Sequence, residues 1–329
     1  MRSDGTKVGR AYSPAAWLAR CASAGPGGPA RPRRAALLIL STTCAVGFAF
    51  AQQPLLSDLH SAIAGFQGKV YLYAKNLETG AVCTIGGNER VRTASTIKLP
   101  VMVAVFQAVA DGQAKWSEEL TLHDVDKVSG SGVLTEFADG VKLPIRDVMH
   151  LMIVLSDNTA TNLMIDRFTA DRVNAEMDKL GLKQTRSNRK VRGDGNDLKA
   201  PSGWSAAGRL PENERFGLGV TTPREMVTLL EKIERGQVVS AEASKEMIAV
   251  LKRNQDHECI RRYLGETPVA NKSGALDALR SDVGIVYSPK GRVALAITCD
   301  GMPAVDYGPD NKGALLIARL AQVLVDGLR

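Results

Sequence analysis

The order of elements in this chain predicts an α/β fold of the α+β type: an antiparallel sheet drawn from both chain ends, covered by helices, with an inserted all-helical part. Three observations carry that prediction. Strand-like sequence occurs at 69–85 and returns at 268–298, helix-like sequence fills most of the interval, and an amphipathic helix closes the chain. Strands must find partners and helices must cover a face, so the two ends are expected to meet in one sheet. The α/β part is placed at about 52–92 and 224–329, and the helical part at about 93–223, within one unit spanning 52–329.

In chain order, residues 53–65 read as an amphipathic helix through Leu55, Leu56, Leu59 and Ile63. Lys69–Ala74 and Ala81–Ile85 read as strands, and the Gly80-containing loop between them marks a hairpin. A helix follows from Ser95 to about Ala110 and stops at Asp111-Gly112. Pro100 removes a backbone donor within it, so its first turn is expected to be irregular. The stretch from Leu120 to Arg215 reads as mainly helical, with helices at Ile145–Leu155 and Thr159–Phe168, while 201–218 has little periodicity. Helices at about 224–235 and 240–253 precede three strands, 268–273, 283–287 and 293–298. The last helix, Gly313 to Leu328, is apolar at Leu315, Leu316, Ala318, Leu320, Val323 and Leu324, and should lie on the sheet.

A chain of 329 residues with 44% hydrophobic content has ample material for a core. Its formal charge of +7 is concentrated at one end: residues 1–51 carry seven basic residues against Asp4, which leaves +1 for the remainder. A nucleic-acid partner loses its main support. Arg31-Pro32-Arg33-Arg34 precedes the apolar run Ala35 to Ala51, which reads as a signal peptide over 1–51 and an exported, periplasmic or secreted, mature protein. The rival is a retained anchor, since seventeen apolar positions lie at the low end of spanning length. Cys44 makes a poor lipid acceptor, because Ser41 stands where an apolar residue is expected. Cleavage leaves Cys83, Cys259 and Cys299, so at most one disulfide can form within the chain. None of them has metal-ligand spacing with a histidine, and neither a metal nor another cofactor is expected.

Ser95-Thr96-Ile97-Lys98 opens the first long apolar helix. A serine and a lysine three apart share a helix face, within about 5–6 Å at Cβ. The lysine amine can then accept the serine proton and make the hydroxyl a nucleophile. Taken alone, the pattern is also an ordinary helix cap; Ser187-Asn188-Arg189-Lys190 fits it as well, with no apolar helix behind it. Ser156-Asp157-Asn158 follows an apolar helix, and Lys272-Ser273-Gly274 ends a strand. Each has a bland reading, as an N-cap and as a strand exit. All three in the order S-x-x-K, S-D-N, K-[ST]-G form a known catalytic set.

With these motifs the chain resembles the class A β-lactamases and penicillin-binding proteins of the serine acyl-transfer superfamily, over about 53–328. Ser156 to Leu163 is similar to the family's SDNTAANL, and Thr221 to Met226 to its T-T-P-R-x-M segment. The resemblance implies that Ser95 attacks the lactam carbonyl and Lys98 accepts or relays its proton. Ser156 would pass a proton to the leaving nitrogen, and Lys272 would supply positive charge near that serine and the substrate carboxylate. Asn158 would bind the substrate amide, and the N–H groups of Ser95 and Ala275 would form the oxyanion hole. Ser273 belongs to the same substrate-binding strand, Gly274 would keep its edge bare, and Arg280 would help bind the carboxylate.

One departure matters. The family's class A members carry a glutamate that activates the hydrolytic water, and Val191 falls at its place, with no glutamate between Glu176 and Glu212. The stretch before Thr221 looks about fifteen residues longer than usual, so Asp194, Asp197, Glu212 or Glu214 is a candidate substitute. The leading expectation is a monomeric serine hydrolase that opens β-lactam rings through an acyl-serine. The alternatives are a D-Ala-D-Ala peptidase or slow penicillin-binding protein acting on peptidoglycan stem peptides, and a non-catalytic cell-wall binding module.

Overall fold

The computed structural model describes residues 54–328; the expected signal peptide and Cys44 lie outside them. Helix α1 (54–63) leads into β1 (Lys69–Asn76) and β2 (Val82–Ile85). At the other end of the chain are β8 (Val269–Leu276), β9 (Leu279–Ser288), β10 (Gly291–Asp300) and α9 (Lys312–Gly327). They form one antiparallel five-stranded sheet of order β2-β1-β10-β9-β8. Tyr71 faces Thr298 and Lys272 faces Val283 in its register. The strands extend beyond their sequence signals, so Lys272-Ser273-Gly274 lies inside β8 and does not end it.

Side-chain alternation explains why both sheet faces are covered. Along β10, Val293, Leu295, Ile297 and Cys299 pack with Leu59 of α1 and Ile317, Leu320 and Leu324 of α9. Ala294 and Ala296 point the other way, toward α7 (Pro223–Glu234) and α8 (Ala241–Lys252). With both faces buried, residues 283–286 of β9 and 293–297 of β10 read as continuous apolar runs.

The middle of the chain supplies α2 (Lys98–Ala110), α3 (Ile145–Val154), α4 (Asn158–Phe168) and α5 (Ala170–Lys179). It also holds short strands that the sequence reading did not anticipate: β4 (Glu119–Leu122) pairs with β5 (Val141–Pro144). A second small sheet joins β3 (Val91–Arg92), β7 (Gly219–Thr221) and β6 (Arg186–Ser187). Pairs of two to four residues leave too short an alternation to be read from sequence. Between β6 and β7 the chain forms only short turns and α6 (Pro211–Glu214).

Helix α2 is the axis of this half. Every residue from Lys98 to Phe106 is buried, so the helix is apolar on all sides and lies within the core. Pro100 occupies its first turn, where a missing N–H costs nothing, and a 3-10 turn (Ala94–Ile97) precedes it. Leu99 is fully buried in the cluster that α2 shares with α3, α4 and α5. Leu99→Ala is expected to cost about 2–5 kcal/mol, measured as a lower urea midpoint at unchanged slope.

Candidate active site

Ser95 sits in the 3-10 turn that feeds α2, and the turn is strained: Ala94 has φ 45° without being glycine. Thr93 N donates to Gly219 O at 3.0 Å, and the Thr96 hydroxyl donates back to Thr93 O at 2.7 Å. A neighbouring strand closes the clamp. A Cβ on Gly274 would lie 2.9 Å from Ser95 N and 3.0 Å from Thr93 O, so only glycine lets β8 come this close. The sequence reading assigned the bare strand edge to substrate; the structure gives it a first task, seating the backbone of Ser95 against β8.

Lys98, one turn further, is 0% exposed. Its amine was expected to reach the Ser95 hydroxyl. Instead it donates to the carbonyl of Ser156, to Ser156 Oγ at 3.2 Å and to Asn158 Oδ1 at 3.0 Å. The amine is therefore oriented by the second motif. Ser156 itself is held at φ 55°, another positive value at a non-glycine residue. Burial pushes the Lys98 pKa well below the ordinary lysine value, the charge of Lys272 pushes it further, and Asp157 opposes them.

The aspartate of the second motif is structural. Asp157 caps α4 by accepting from Ala160 N at 2.8 Å, and its other oxygen accepts from Val133 N at 2.7 Å and Leu134 N at 2.9 Å. Asn158 donates to Ser129 O at 3.0 Å while accepting from Lys98. Together they tie the 129–134 loop to α4. Gly132 in that loop has φ 117°, and a Cβ there would lie 2.2 Å from the Asp157 carboxyl.

Lys272 is likewise 0% exposed, with its amine on Ser273 O at 2.7 Å. Burial lowers its pKa to about 8, against the charges of Asp256 and Asp282, which raise it. Burial raises the Asp282 carboxyl to about 7 with help from Asp256, opposed by donors from Asn271 and Ile260 and by the Lys272 charge. Arg280 is 4% exposed. Its guanidinium donates to the carbonyls of Leu276 at 2.8 Å, Leu279 at 2.7 Å and Asp306, and stacks on Tyr307 at 4.8 Å.

A cleft of about 680 Å³ opens over these groups, lined by Ser95, Ser156, Asn158, Ser273, Gly274, Ala275 and Arg280, among others. Lys98 and Lys272 lie beneath its surface. Val191 lines it too, held where it is by α4: Val191 N donates to Asn162 Oδ1 at 2.8 Å, and Asn162 Nδ2 donates to Val191 O at 3.0 Å. Asp166, one turn along, pairs with Lys190 at 2.9 Å, and Asn174 of α5 holds Ser187 through both of its backbone groups. Of the four candidate carboxylates, Asp194 alone lines the cleft.

Several residues take roles that the sequence did not give them. Ser187 and Lys190 of the second S-x-x-K occurrence serve only to anchor the loop. In the T-T-P-R segment, Thr222 caps α7, Thr221 meets Thr185 at 2.8 Å, and Arg224 stacks on Tyr73 at 4.6 Å, so its part is structural. The three cysteines are buried free thiols. Asp256, Tyr307, Arg192 and Arg215 line the cleft without having been singled out, because none belongs to a motif, and Arg189 lines it from the second S-x-x-K occurrence.

The sequence matches the family described as the beta-lactamase enzyme family (Beta-lactamase2) over residues 54–328. The fold is similar to a β-lactamase from Sphaerobacter thermophilus DSM 20745, with TM-score 0.70 and 28% identity over 83% of this chain and 96% of that one. It is also similar to a mutant of PBP-A solved as an acyl-enzyme complex with penicillin G: TM-score 0.70 and 27% identity, covering 84% of this chain and 96% of that one. A relative in Streptomyces cacaoi, named beta-lactamase regulatory protein BlaB, is 24% identical over 84% of this chain and 98% of its own length.

A depressed amine pKa leaves more of Lys98 neutral at a given pH than an ordinary lysine. A reaction in which that amine accepts a proton is therefore expected to slow as pH drops through its pKa. Lys98→Arg, which stays protonated, should flatten the profile and slow the step by about a hundredfold or more; stopped-flow or quench-flow rates from pH 5 to 9 check both.

Proposed function

The chain belongs to the β-lactamase enzyme family, and from that premise we propose that it opens β-lactam rings through an acyl-serine at Ser95. The observation that carries the proposal is the buried Lys98 amine, depressed in proton affinity and bonded to Ser156 beneath the cleft that Ser95 lines. In the proposed reaction Ser95 Oγ attacks the carbonyl carbon and its proton passes to the Lys98 amine, directly or through Ser156. Negative charge develops on the carbonyl oxygen and is met by the N–H groups of Ser95 and Ala275; the close seat of β8 against Ser95 N supports that pairing. The C–N bond then breaks, Ser156 passes a proton to the nitrogen, and an ester remains on Ser95. Water completes the cycle by adding to the ester carbon, and the Ser95 oxygen leaves with a proton. Export to the cell-wall space is part of the proposal, resting on the basic and apolar leader.

A second reading, a penicillin-binding D-Ala-D-Ala peptidase that releases its acyl group slowly, is favoured by Val191. An apolar side chain with no proton to move stands in the cleft, and Asn162 holds it there. The relative solved as a penicillin acyl-enzyme is compatible with this reading.

Intact-protein mass spectrometry after mixing with benzylpenicillin is expected to show one covalent adduct, absent in Ser95→Ala; equal spectra for the two proteins would sink the acyl-serine proposal. Val191→Glu, which offers a general base at that place, is expected to raise turnover of a chromogenic cephalosporin by about a hundredfold with acylation little changed. Fast turnover in the unmodified protein would instead exclude the slow-release reading.

A further inference from the structure

The segment between β6 and β7 lines the cleft with three arginines, Arg189, Arg192 and Arg215. Neutral groups hold them in place. Arg189 donates to Lys190 O at 2.8 Å and stands over the Trp204 ring at 5.8 Å, Arg192 donates to Lys199 O at 3.1 Å, and Arg215 stands over the Phe216 ring at 4.7 Å. Arg189 also reaches the turn that carries Arg215, since a Cβ on Gly217 would lie 3.5 Å from Arg189 Nη2. Burial lowers the Arg189 pKa, and the neighbouring Arg192 charge lowers it further.

No carboxylate balances this group. Among the described residues none of the three forms an ion pair, and of the five N–H donors on each guanidinium, Arg189 and Arg192 use one and Arg215 none in a hydrogen bond. Asp194, the carboxylate that this segment brings to the cleft, stands against Gly130, where a Cβ would lie 3.3 Å from its Oδ2. Glu212 and Glu214 of α6 do not line the cleft, and Lys190 is already paired with Asp166. On the β8 side the charges are mixed. Asp256 of the 254–260 loop accepts the Ser273 hydroxyl and acts on Lys272, while Glu258 lies in the field of Arg280 and Arg262. Asp277 accepts from the Tyr307 hydroxyl at 2.9 Å, and Arg92 is paired with Asp300. The unbalanced positive charge therefore sits on the 189–217 segment.

We propose that this segment selects an anion: the preferred acyl donor carries a carboxylate on the part of its acyl group that lies beside Val191, and Arg189, Arg192 and Arg215 receive it. The inference rests on the acyl-serine reading above and names a substrate class for it. In that reading the nitrogen departs with a proton from Ser156 while the acyl part stays on Ser95, and Val191, between Arg189 and Arg192 in the chain, lines the same cleft. A half-buried guanidinium without a counter-ion is unfavourable, and a carboxylate supplies both the opposite charge and two oxygens for paired N–H donors.

The test uses two cephalosporins built on one nucleus, its amine acylated with glutarate or with the corresponding amide, glutaramate, so that they differ by one charge at the end of the side chain. Ring opening is followed by absorbance with enzyme in excess, where the rate reports acylation whether or not the ester is released. The glutaryl probe is expected to react about tenfold faster or more, and in the double variant Arg192→Gln with Arg215→Gln the ratio is expected to fall to within about twofold of unity. Raising salt from about 0.01 M to about 1 M, which shortens the Debye length from about 30 Å to about 3 Å, should shrink the preference in the unmodified protein. Arginines with a purely structural role would slow both probes alike and leave their ratio alone, which overturns the proposal. So does a ratio near unity in the unmodified protein, or a preference that salt leaves unchanged. If the double variant does not fold, the ratio and its salt dependence in the unmodified protein decide. Absence of ring opening, or equal opening by Ser95→Ala, overturns the acyl-serine reading along with this one, whereas Ser95-dependent opening with no preference overturns this one alone.

Discussion

Two lysine amines buried beneath one cleft are the constraint on which the rest of this structure depends. Taking an ammonium out of water is expensive unless acceptors surround it or it gives up its proton. Lys98 meets the cost both ways. Three acceptors from Ser156 and Asn158 surround its amine, and its proton affinity falls under burial and the neighbouring Lys272 charge. Lys272 is kept close to the charged range by Asp256 and Asp282, which work against its burial. The two amines thus differ through their surroundings: Lys98 is driven toward the neutral form by burial and the Lys272 charge against the opposition of Asp157, and Lys272, near two aspartates, is held nearer the cationic form. Such a separation of proton affinities is what acid–base chemistry at one site needs.

That arrangement survives only on a rigid frame, and the frame explains features that look unrelated to chemistry. An α2 helix apolar on all sides fixes the Lys98 backbone from every direction. Asp157, hidden from solvent, ties the 129–134 loop to the start of α4 and so holds Ser156 and Asn158 beneath the cleft. Glycine at 274 lets β8 press on the turn bearing Ser95. Ser95, Lys98, Ser156 and Asn158 are therefore held by core elements. Val191, which stands where a water-activating group is expected, sits on a long loop held by side chains of α4 and α5 at Val191, Lys190 and Ser187. A loop held at three points stands apart from the core elements that hold Lys98 and Ser156.

Much of the plan was legible before any coordinates. Helices α3, α4, α7 and α8 fall within a few residues of their sequence signals, because caps such as Thr222 and apolar periodicity are local properties. The short strands β3 to β7 were not legible, since two to four residues carry too little alternation. The bonds that orient Lys98 were not legible for a related reason: spacing along a helix says which residues share a face, but the buried acceptors on Ser156 and Asn158 arrive from another element some sixty positions away.

Chain order and residue type alone established the motif set Ser95-Lys98, Ser156-Asn158, Lys272-Gly274, the elements that carry them, and the absence of a glutamate at 191, since each is a matter of local pattern and spacing. The tertiary structure decided which of those side chains are buried, that burial lowers the proton affinity of both lysine amines, and that Asp256 holds the hydroxyl of Ser273. These depend on groups that meet only when β8, α4 and the 254–260 loop pack against one another, and desolvation has no signature in a linear sequence.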